Sequence, residues 1–544
     1  MGKWSLVCTL ALSLAASGCH KAADVASAPP AAATITASPA AGAGHSTRPA
    51  GVDWFEGDVA QAFMAAEQQH KPVFVYFGAV WCPPCQQLKA TVFKRRDFLE
   101  KLSLFVPVYL DGDAPDAQRW AAEFKIVGYP TALILAADHA ELERVSGGMD
   151  LGRYAEVLDL GLSATRPISA ILSPTDSGNS SVSLEDCRRL AYNGWPLEEE
   201  WIYSNEYPGW LTKTSADLTQ AASRCPADAA TERARLRIMA MSAELDSESD
   251  ALKSGQKPSA KLTAAIEQVR PILADQTLAL KLADALECLD GNFFKLSVAQ
   301  DPSQAAAVES RWFRLMDAVG ADTRYSAADQ LYSVNCKIVA AKALEPSGKV
   351  PAALADEAHQ RVDAALALNT DAYTRTSLVN AALNVLDSLE DSDRSYAVLS
   401  AEIMTSKTPY YYMSDLAEIE EARGHKDAAV AWLARAYNES QGEATRFQWG
   451  VAYVRGLIRL RPGDDAAIAA AAHQVLGEVD GEGRLYGRSK NRLITLAKTL
   501  HEWNDKSQHA GAVQAVRTQV QGICAKIPAG DPALTTCASF SETV

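Results

Sequence analysis

Residues 71–85 read Lys-Pro-Val-Phe-Val-Tyr-Phe-Gly-Ala-Val-Trp-Cys-Pro-Pro-Cys. The run Val73–Phe77 is apolar, β-branched and aromatic, the composition of a strand buried on both faces. It breaks at Gly78-Ala79. Beyond Cys85, the stretch Gln86–Phe93 is made of helix formers with Leu88, Val92 and Phe93 apolar. Strand, turn and helix in that order put Cys82 at a helix N-terminus. Unpaired backbone N–H groups and the positive dipole end favour a thiolate there, so Cys82 is the candidate nucleophile. Cys85, one turn further in, is placed to resolve a mixed disulfide by attacking the Cys82 sulfur. Pro83 and Pro84 are tolerated because first-turn N–H groups have no intrahelical partner.

Working outward, Leu104–Leu110 reads as a second strand ending at Asp111, and Ala114–Phe124 as a helix. Val127-Gly128-Tyr129-Pro130-Thr131 then leads into a third strand, Ala132–Leu135. A turn at Asp138-His139, a strand near Leu142–Val145, Gly147-Gly148 and a helix over Leu151–Leu162 complete the segment. Asp111 reads as a strand-end cap and His139 as a turn residue.

Trp-Cys-x-x-Cys at 81–85, followed by Gly-x-Pro-Thr at 128–131 and then strand, glycine and helix, resembles thioredoxin. The closest likeness is to the thioredoxin-like arm of bacterial periplasmic thiol reductases, with Lys71-Pro72-Val73 opening the strand and Thr91-Val92-Phe93 after the motif helix. The resemblance covers about 110 residues, a fifth of the chain. It implies an α/β thioredoxin-like domain over 52–165, with Cys82 and Cys85 as the catalytic pair, open to solvent for its clients. Pro130 is then cis, packs against the pair and keeps metals away. The Tyr129 backbone is left to pair with an extended substrate, and Trp81 flanks the site beside Pro83 and Pro84. The Tyr129 and Trp81 side chains are either substrate contacts or plain packing. Two positions depart from the pattern. The family's buried Asp, six residues before the first Cys, is Tyr76, and its Lys partner aligns with Pro107. Water or a distant carboxylate must then accept the Cys85 proton. No cofactor is implied. Zinc is disfavoured, since the chain has no second CxxC and no close His pair among its 9 His; a static disulfide without turnover is the other alternative.

The first residues set the compartment. Lys3 precedes a short apolar run, Trp4–Ala16, too short to span a bilayer of about 30 Å, so 1–18 reads as a secretion signal. Ala16-Ser17-Gly18-Cys19 resembles the lipobox of bacterial lipoproteins, which implies cleavage before Cys19 and lipidation of its sulfur; plain secretion is the alternative. His20 stands where an inner-membrane retention aspartate would be, which favours the outer membrane in a Gram-negative cell. Residues 20–51 hold 12 Ala and 4 Pro among 32 positions and no aromatic residue, so they read as a disordered tether. Of ten Cys, six lie outside the signal, the lipobox and the CxxC: Cys187, Cys225, Cys288, Cys336, Cys524 and Cys537. An even remainder fits an oxidising compartment. Sequence cannot choose among the 15 connectivities, and neighbour pairing, 187–225, 288–336 and 524–537, is the expectation.

At 544 residues the chain needs more than one core. Its formal charge of −15 argues against nucleic acid as a partner. Residues 166–183 read as a linker, and 184–544 as helices, among them Ala227–Leu245, Ala260–Leu273, Thr277–Leu289, Ala327–Leu344, Ala352–Leu368 and Ala444–Leu460. Leu416, Ala417, Gly424, Ala429, Leu433 and Ala436 sit at the spacing of a tetratricopeptide repeat, so the region reads as a degenerate tetratricopeptide-like array. The clusters Trp195–Trp201–Tyr203–Tyr207–Trp210 and Tyr410-Tyr411-Tyr412 are either core or groove lining, with core favoured. Two functions follow. One is an envelope thiol:disulfide oxidoreductase that reduces or isomerises protein or peptide clients and draws electrons from a membrane or periplasmic donor. The other is a non-catalytic envelope scaffold whose array binds proteins while the thioredoxin-like part only docks clients.

Overall fold

The computed structural model describes residues 48–126, 128–145, 153–172, 182–195, 209–286, 289–481, 483–505 and 508–544. The signal, Cys19, most of the tether, Gly147-Gly148, Trp201, Tyr203, Tyr207 and Cys288 lie outside them.

The first nine strands and α-helices build a sheet clothed by helices. In order they are α1 (Val59–Gln69), β1 (Val73–Gly78), α2 (Pro83–Ala90), α3 (Arg96–Leu102), β2 (Val106–Asp111), α4 (Pro115–Glu123), β3 (Thr131–Leu135), β4 (Glu141–Val145) and α5 (Arg153–Leu162). The strand order is β2-β1-β3-β4, with β1 parallel to β2 and antiparallel to β3, and β4 antiparallel to β3. All six residues of β1 are buried. Alternation explains this. Val73, Val75 and Phe77 pack with Ala62 and Phe63 of α1 and Ala117 and Ala121 of α4. Phe74 and Tyr76 pack on the opposite face with Leu88 of α2, Phe98 of α3 and Val157 and Leu158 of α5. Three layers result, with the CxxC turn at the C-terminal end of the central strand.

Two helices escaped the reading, α1 and α3. The first carries a visible signal: the Asp58 carboxylate accepts from Gln61 N at 2.7 Å, and Asp58 N donates to the Gln61 side chain at 3.1 Å. This reciprocal box precedes Val59, Ala62, Phe63 and Ala66, all buried at helical spacing.

From Leu184 onward every described element is a helix. Ala327–Leu344 has the expected bounds, while Thr277–Leu289 divides into Gln276–Lys281 and Ala283–Leu286. The tetratricopeptide-like unit is the pair Pro409–Ala422 and Lys426–Glu439. Gly424 turns between them at φ 81°, a conformation that favours glycine, and Leu416, Ala417, Ala429, Leu433 and Ala436 are buried. The segment expected as a plain linker departs from that reading: it holds a helix, Ile168–Leu172, because Ile168 and Ile171 have apolar partners in Cys187, Leu190 and Leu218. Cys187–Cys225 and Cys524–Cys537 are bonded as neighbours. No described helix is long and apolar enough to cross a membrane.

The array grips the sheet at its β4 edge. Asn193 accepts from Arg144 N at 2.8 Å, and Gly194 N donates to Arg144 O at 2.7 Å, so the chain after the helix Leu184–Tyr192 occupies the open strand edge. Arg189, wholly buried, donates to Leu142 O at 2.5 Å and lies 3.5 Å from the equally buried Glu143. Taking that carboxyl out of water pushes its pKa well up, and the Arg189 charge opposes this.

Candidate redox site

Cys82 caps α2. Its backbone is extended (φ −79°, ψ 115°), and its sulfur accepts from Cys85 N at 3.3 Å. Pro83 and Pro84 fill the first helical positions. The two sulfurs are joined as a disulfide. The helix thus holds a sulfur where its free N–H groups and dipole lower the cost of negative charge once the bond is reduced. The Tyr129–Pro130 bond is cis. Pairing of Thr131 with Phe77 brings that peptide to the end of the sheet from which the CxxC turn leaves.

The Tyr129 side chain is packed against the turn and the sheet. Its ring stacks on Phe77 at 4.9 Å and meets Trp81 edge-on at 5.5 Å. Its hydroxyl donates to Gly112 O and accepts from Gln118 Nε2, each at 3.0 Å. Burial, the largest influence, pushes its pKa up to about 12. Gly112 is required here, because a Cβ would stand 2.1 Å from the Tyr129 ring.

Tyr76, in place of the family's buried acid, is itself buried, and its hydroxyl has no hydrogen-bond partner among the described residues. In the strand register Tyr109 lies across from Tyr76, and Pro107 lies across from Phe74. Neither is an acid or a base. One carboxyl is linked to the redox turn through Trp81. Trp81 Nε1 donates to Thr445 Oγ1 at 2.7 Å, and Thr445 Oγ1 donates in turn to Asp113 Oδ1.

Thr445 belongs to the array, and this overturns the expectation of an open site. Cys82 is 3% exposed, Cys85 0% and Trp81 7%. The helix Ala372–Ser388 lies along α2, with Ser377 Oγ donating to Pro83 O at 3.2 Å. Gln87 donates to Ser326 Oγ at 2.6 Å and Asp329 Oδ2 at 2.9 Å. Trp81 stacks on Tyr411 at 6.1 Å and meets Trp449 at 5.1 Å. The guanidinium of Arg488 lies 4.4 Å from the Tyr129 ring centre. Of the tyrosine cluster, Tyr410 and Tyr412 are core, while Tyr411 faces the redox turn. The array packs onto the redox face because Trp81, Ala79 and the two sulfurs join its apolar core. Residues 59–161 match the thioredoxin-like domain family.

The match lies within the expected 52–165, and a Cys82–Cys85 pair in such a domain points to thiol–disulfide chemistry. No curated protein matches the chain by sequence. The thioredoxin-like domain of this chain also uses residues that its own sequence does not advertise. Tyr411, Thr445, Trp449 and Arg488 reach it from 250 or more positions beyond residue 161, and no local pattern marks them. Asp113 had a faint signal, since it follows the strand-ending Asp111.

Asp113 should make the array's packing on the redox face sensitive to pH. Burial, and then the Asp111 charge, lift its carboxyl from 3.8 to about 7, against the pull of Thr445 and Arg488. A group held protonated by the fold contributes fully below about 4, and that contribution is gone above about 7. Raising the pH from 5.5 to 7.5 should therefore loosen the array's hold. The alkylation rate of reduced Cys82, divided by that of Asp113→Asn at each pH to remove the thiol's own titration, should rise on the order of tenfold. A flat ratio would count against Asp113.

Proposed function

We propose that the thioredoxin-like domain is a thiol:disulfide oxidoreductase working in the bacterial envelope, and that the helical array controls access to it. The observation that carries the reading is the Cys82 sulfur at the head of α2, bonded to Cys85, at the sheet end that holds the cis Tyr129–Pro130 peptide. In the reducing direction the Cys82 thiolate attacks a client disulfide, one client sulfur leaves as a thiolate, and a mixed disulfide forms. Cys85, deprotonated, then attacks the Cys82 sulfur, so the client leaves with two thiols and the pair is oxidised. Two electrons and two protons from a dithiol donor in the membrane or periplasm restore it. Trp81 and Tyr129 hold the turn, Pro83 and Pro84 stiffen it, and Pro130 shapes the edge where a client chain would lie. Cys19 would anchor the protein by lipid, with the outer membrane favoured by His20.

Trapping tests this reading. In Cys85→Ser the mixed disulfide has no resolving thiol, so envelope extracts should yield client adducts that reductant releases, whereas Cys82→Ser should yield none. Equal adduct yields from the two variants would end the proposal.

A second reading rests on the burial of Cys82: a scaffold whose array binds envelope proteins while the pair stays permanently closed. It predicts no turnover of a dithiol-exchange substrate by the wild-type protein at any pH.

A further inference from the structure

The Trp81 indole leaves the thioredoxin-like domain and is received by the array. Thr445 and Trp449 stand four residues apart on the helix Glu443–Leu460, so their side chains share one face. Thr445 Oγ1 accepts the indole N–H at 2.7 Å, and Trp449 meets the ring at a steep angle, 5.1 Å between centres. Tyr411, from the helix Pro409–Ala422, stacks on the same indole at 6.1 Å with 23° between the planes. Arg488, from Gly487–Trp503, lies over it 5.4 Å from the ring centre. The one donor of the indole has an acceptor, and its ring has aromatic cover, as a buried tryptophan requires.

The array fixes the aromatic walls by contacts of its own. Trp449 Nε1 donates to Tyr410 O at 2.9 Å, and the Tyr410 ring abuts the Trp449 ring at 5.6 Å. Tyr411 packs edge-on against the buried Tyr412 at 5.5 Å, and its hydroxyl donates to Asn380 Oδ1 at 3.4 Å. None of these contacts involves the thioredoxin-like domain, so they hold whether or not Trp81 is in place. A pocket ordered before its occupant arrives loses little entropy on taking one up.

We propose that Tyr411, Thr445 and Trp449 form an indole-binding pocket on the array, that Trp81 is its resident occupant, and that a tryptophan of an incoming polypeptide takes the same place. The inference rests on the reading that the array controls access to Cys82. Trp81 directly precedes Cys82, so an indole from outside that fills the pocket keeps the cover off the redox turn. It also holds the incoming chain beside the uncovered sulfur. Thr445 sets the selectivity. A phenyl ring brings no donor for its buried oxygen, and a site built around a hydrogen bond rejects an analogue that lacks it.

The probe is N-acetyltryptophanamide on the full chain, with its 1-methylindole analogue and N-acetylphenylalaninamide as controls. Calorimetry on Trp81→Ala, whose pocket has lost its occupant, gives the dissociation constant; both controls should bind about tenfold more weakly for want of one hydrogen bond. In the wild-type protein the probe should raise the alkylation rate of reduced Cys82 about elevenfold at ten times that constant, because it stabilises only the form in which Trp81 has left. A flat wild-type rate overturns the proposal, even where Trp81→Ala binds the probe, since any truncation leaves a hole. Equal acceleration by all three compounds overturns it too. The wild-type rate decides alone if Trp81→Ala folds poorly. Client adducts on Cys85→Ser beside a flat rate would remove the pocket and leave the oxidoreductase standing; a rising rate without any adduct would do the reverse.

Discussion

Tyr411→Ala combined with Thr445→Val should raise the alkylation rate of reduced Cys82 about a hundredfold. Tyr411 covers the Trp81 indole, and an aromatic pair of this kind holds about 1 kcal/mol beyond its buried area. Valine keeps the volume of Thr445, which is 2% exposed, but leaves Trp81 Nε1 without its acceptor and Asp113 without its donor. Stranding a buried polar group costs about 1–3 kcal/mol. If the two losses add, the closed arrangement is weakened by about 3 kcal/mol, and each 1.4 kcal/mol is a factor of ten in an opening equilibrium. The rate is read by mass spectrometry on the Cys82 peptide after mild reduction. Circular dichroism on the same samples checks that the helices persist. An unchanged rate would mean that the array's contacts do not gate the sulfur, and the access model would fail.

The second large effect is on stability. Cys187–Cys225 closes 38 residues and ties the helix Leu184–Tyr192 to the end of the helix Trp210–Arg224. Loop-closure entropy for that length gives about 4 kcal/mol, against about 3 kcal/mol for the 13 residues closed by Cys524–Cys537. The same helix holds Arg189 in the β4 edge, so its loss should be felt in the thioredoxin-like domain as well as in the array. Replacing both Cys187 and Cys225 by serine should lower the urea midpoint clearly more than replacing both Cys524 and Cys537. The reverse order would show that the N-terminal join contributes less than its loop length implies.

What was legible in the chain was whatever is encoded locally. Val73–Phe77 announced a central strand because both its faces are apolar, and Cys82-Pro83-Pro84-Cys85 announced a helix head because only there do two prolines cost so little. Ala327–Leu344 was bounded by its own periodicity. The box at Asp58 and Gln61 was there to be read and would have supplied α1. That Tyr109 stands across from Tyr76 could not be read from either strand alone, because register is set by pairing across the sheet. The covered redox face was beyond reach for a further reason. Trp81, Tyr411, Trp449 and Thr445 each have an ordinary explanation within their own segments, and only the fold makes them one surface. Sequence periodicity records that a side chain is buried, but it does not record by what.

The contact between Asp113 and the chain ahead of the helix Glu443–Leu460 is close enough that a Cβ on Gly442 would lie 2.6 Å from the Asp113 side chain. A lid joined to its own domain through one continuous chain returns at an effective concentration on the order of millimolar, whatever its intrinsic affinity. On the access reading proposed above, an incoming client would compete with that tethered rival, so its apparent affinity would fall by the fraction of molecules that stand open. Discrimination would then reside in how well a visitor displaces the resident helices, and weak, promiscuous thiols would be turned away before any sulfur is touched.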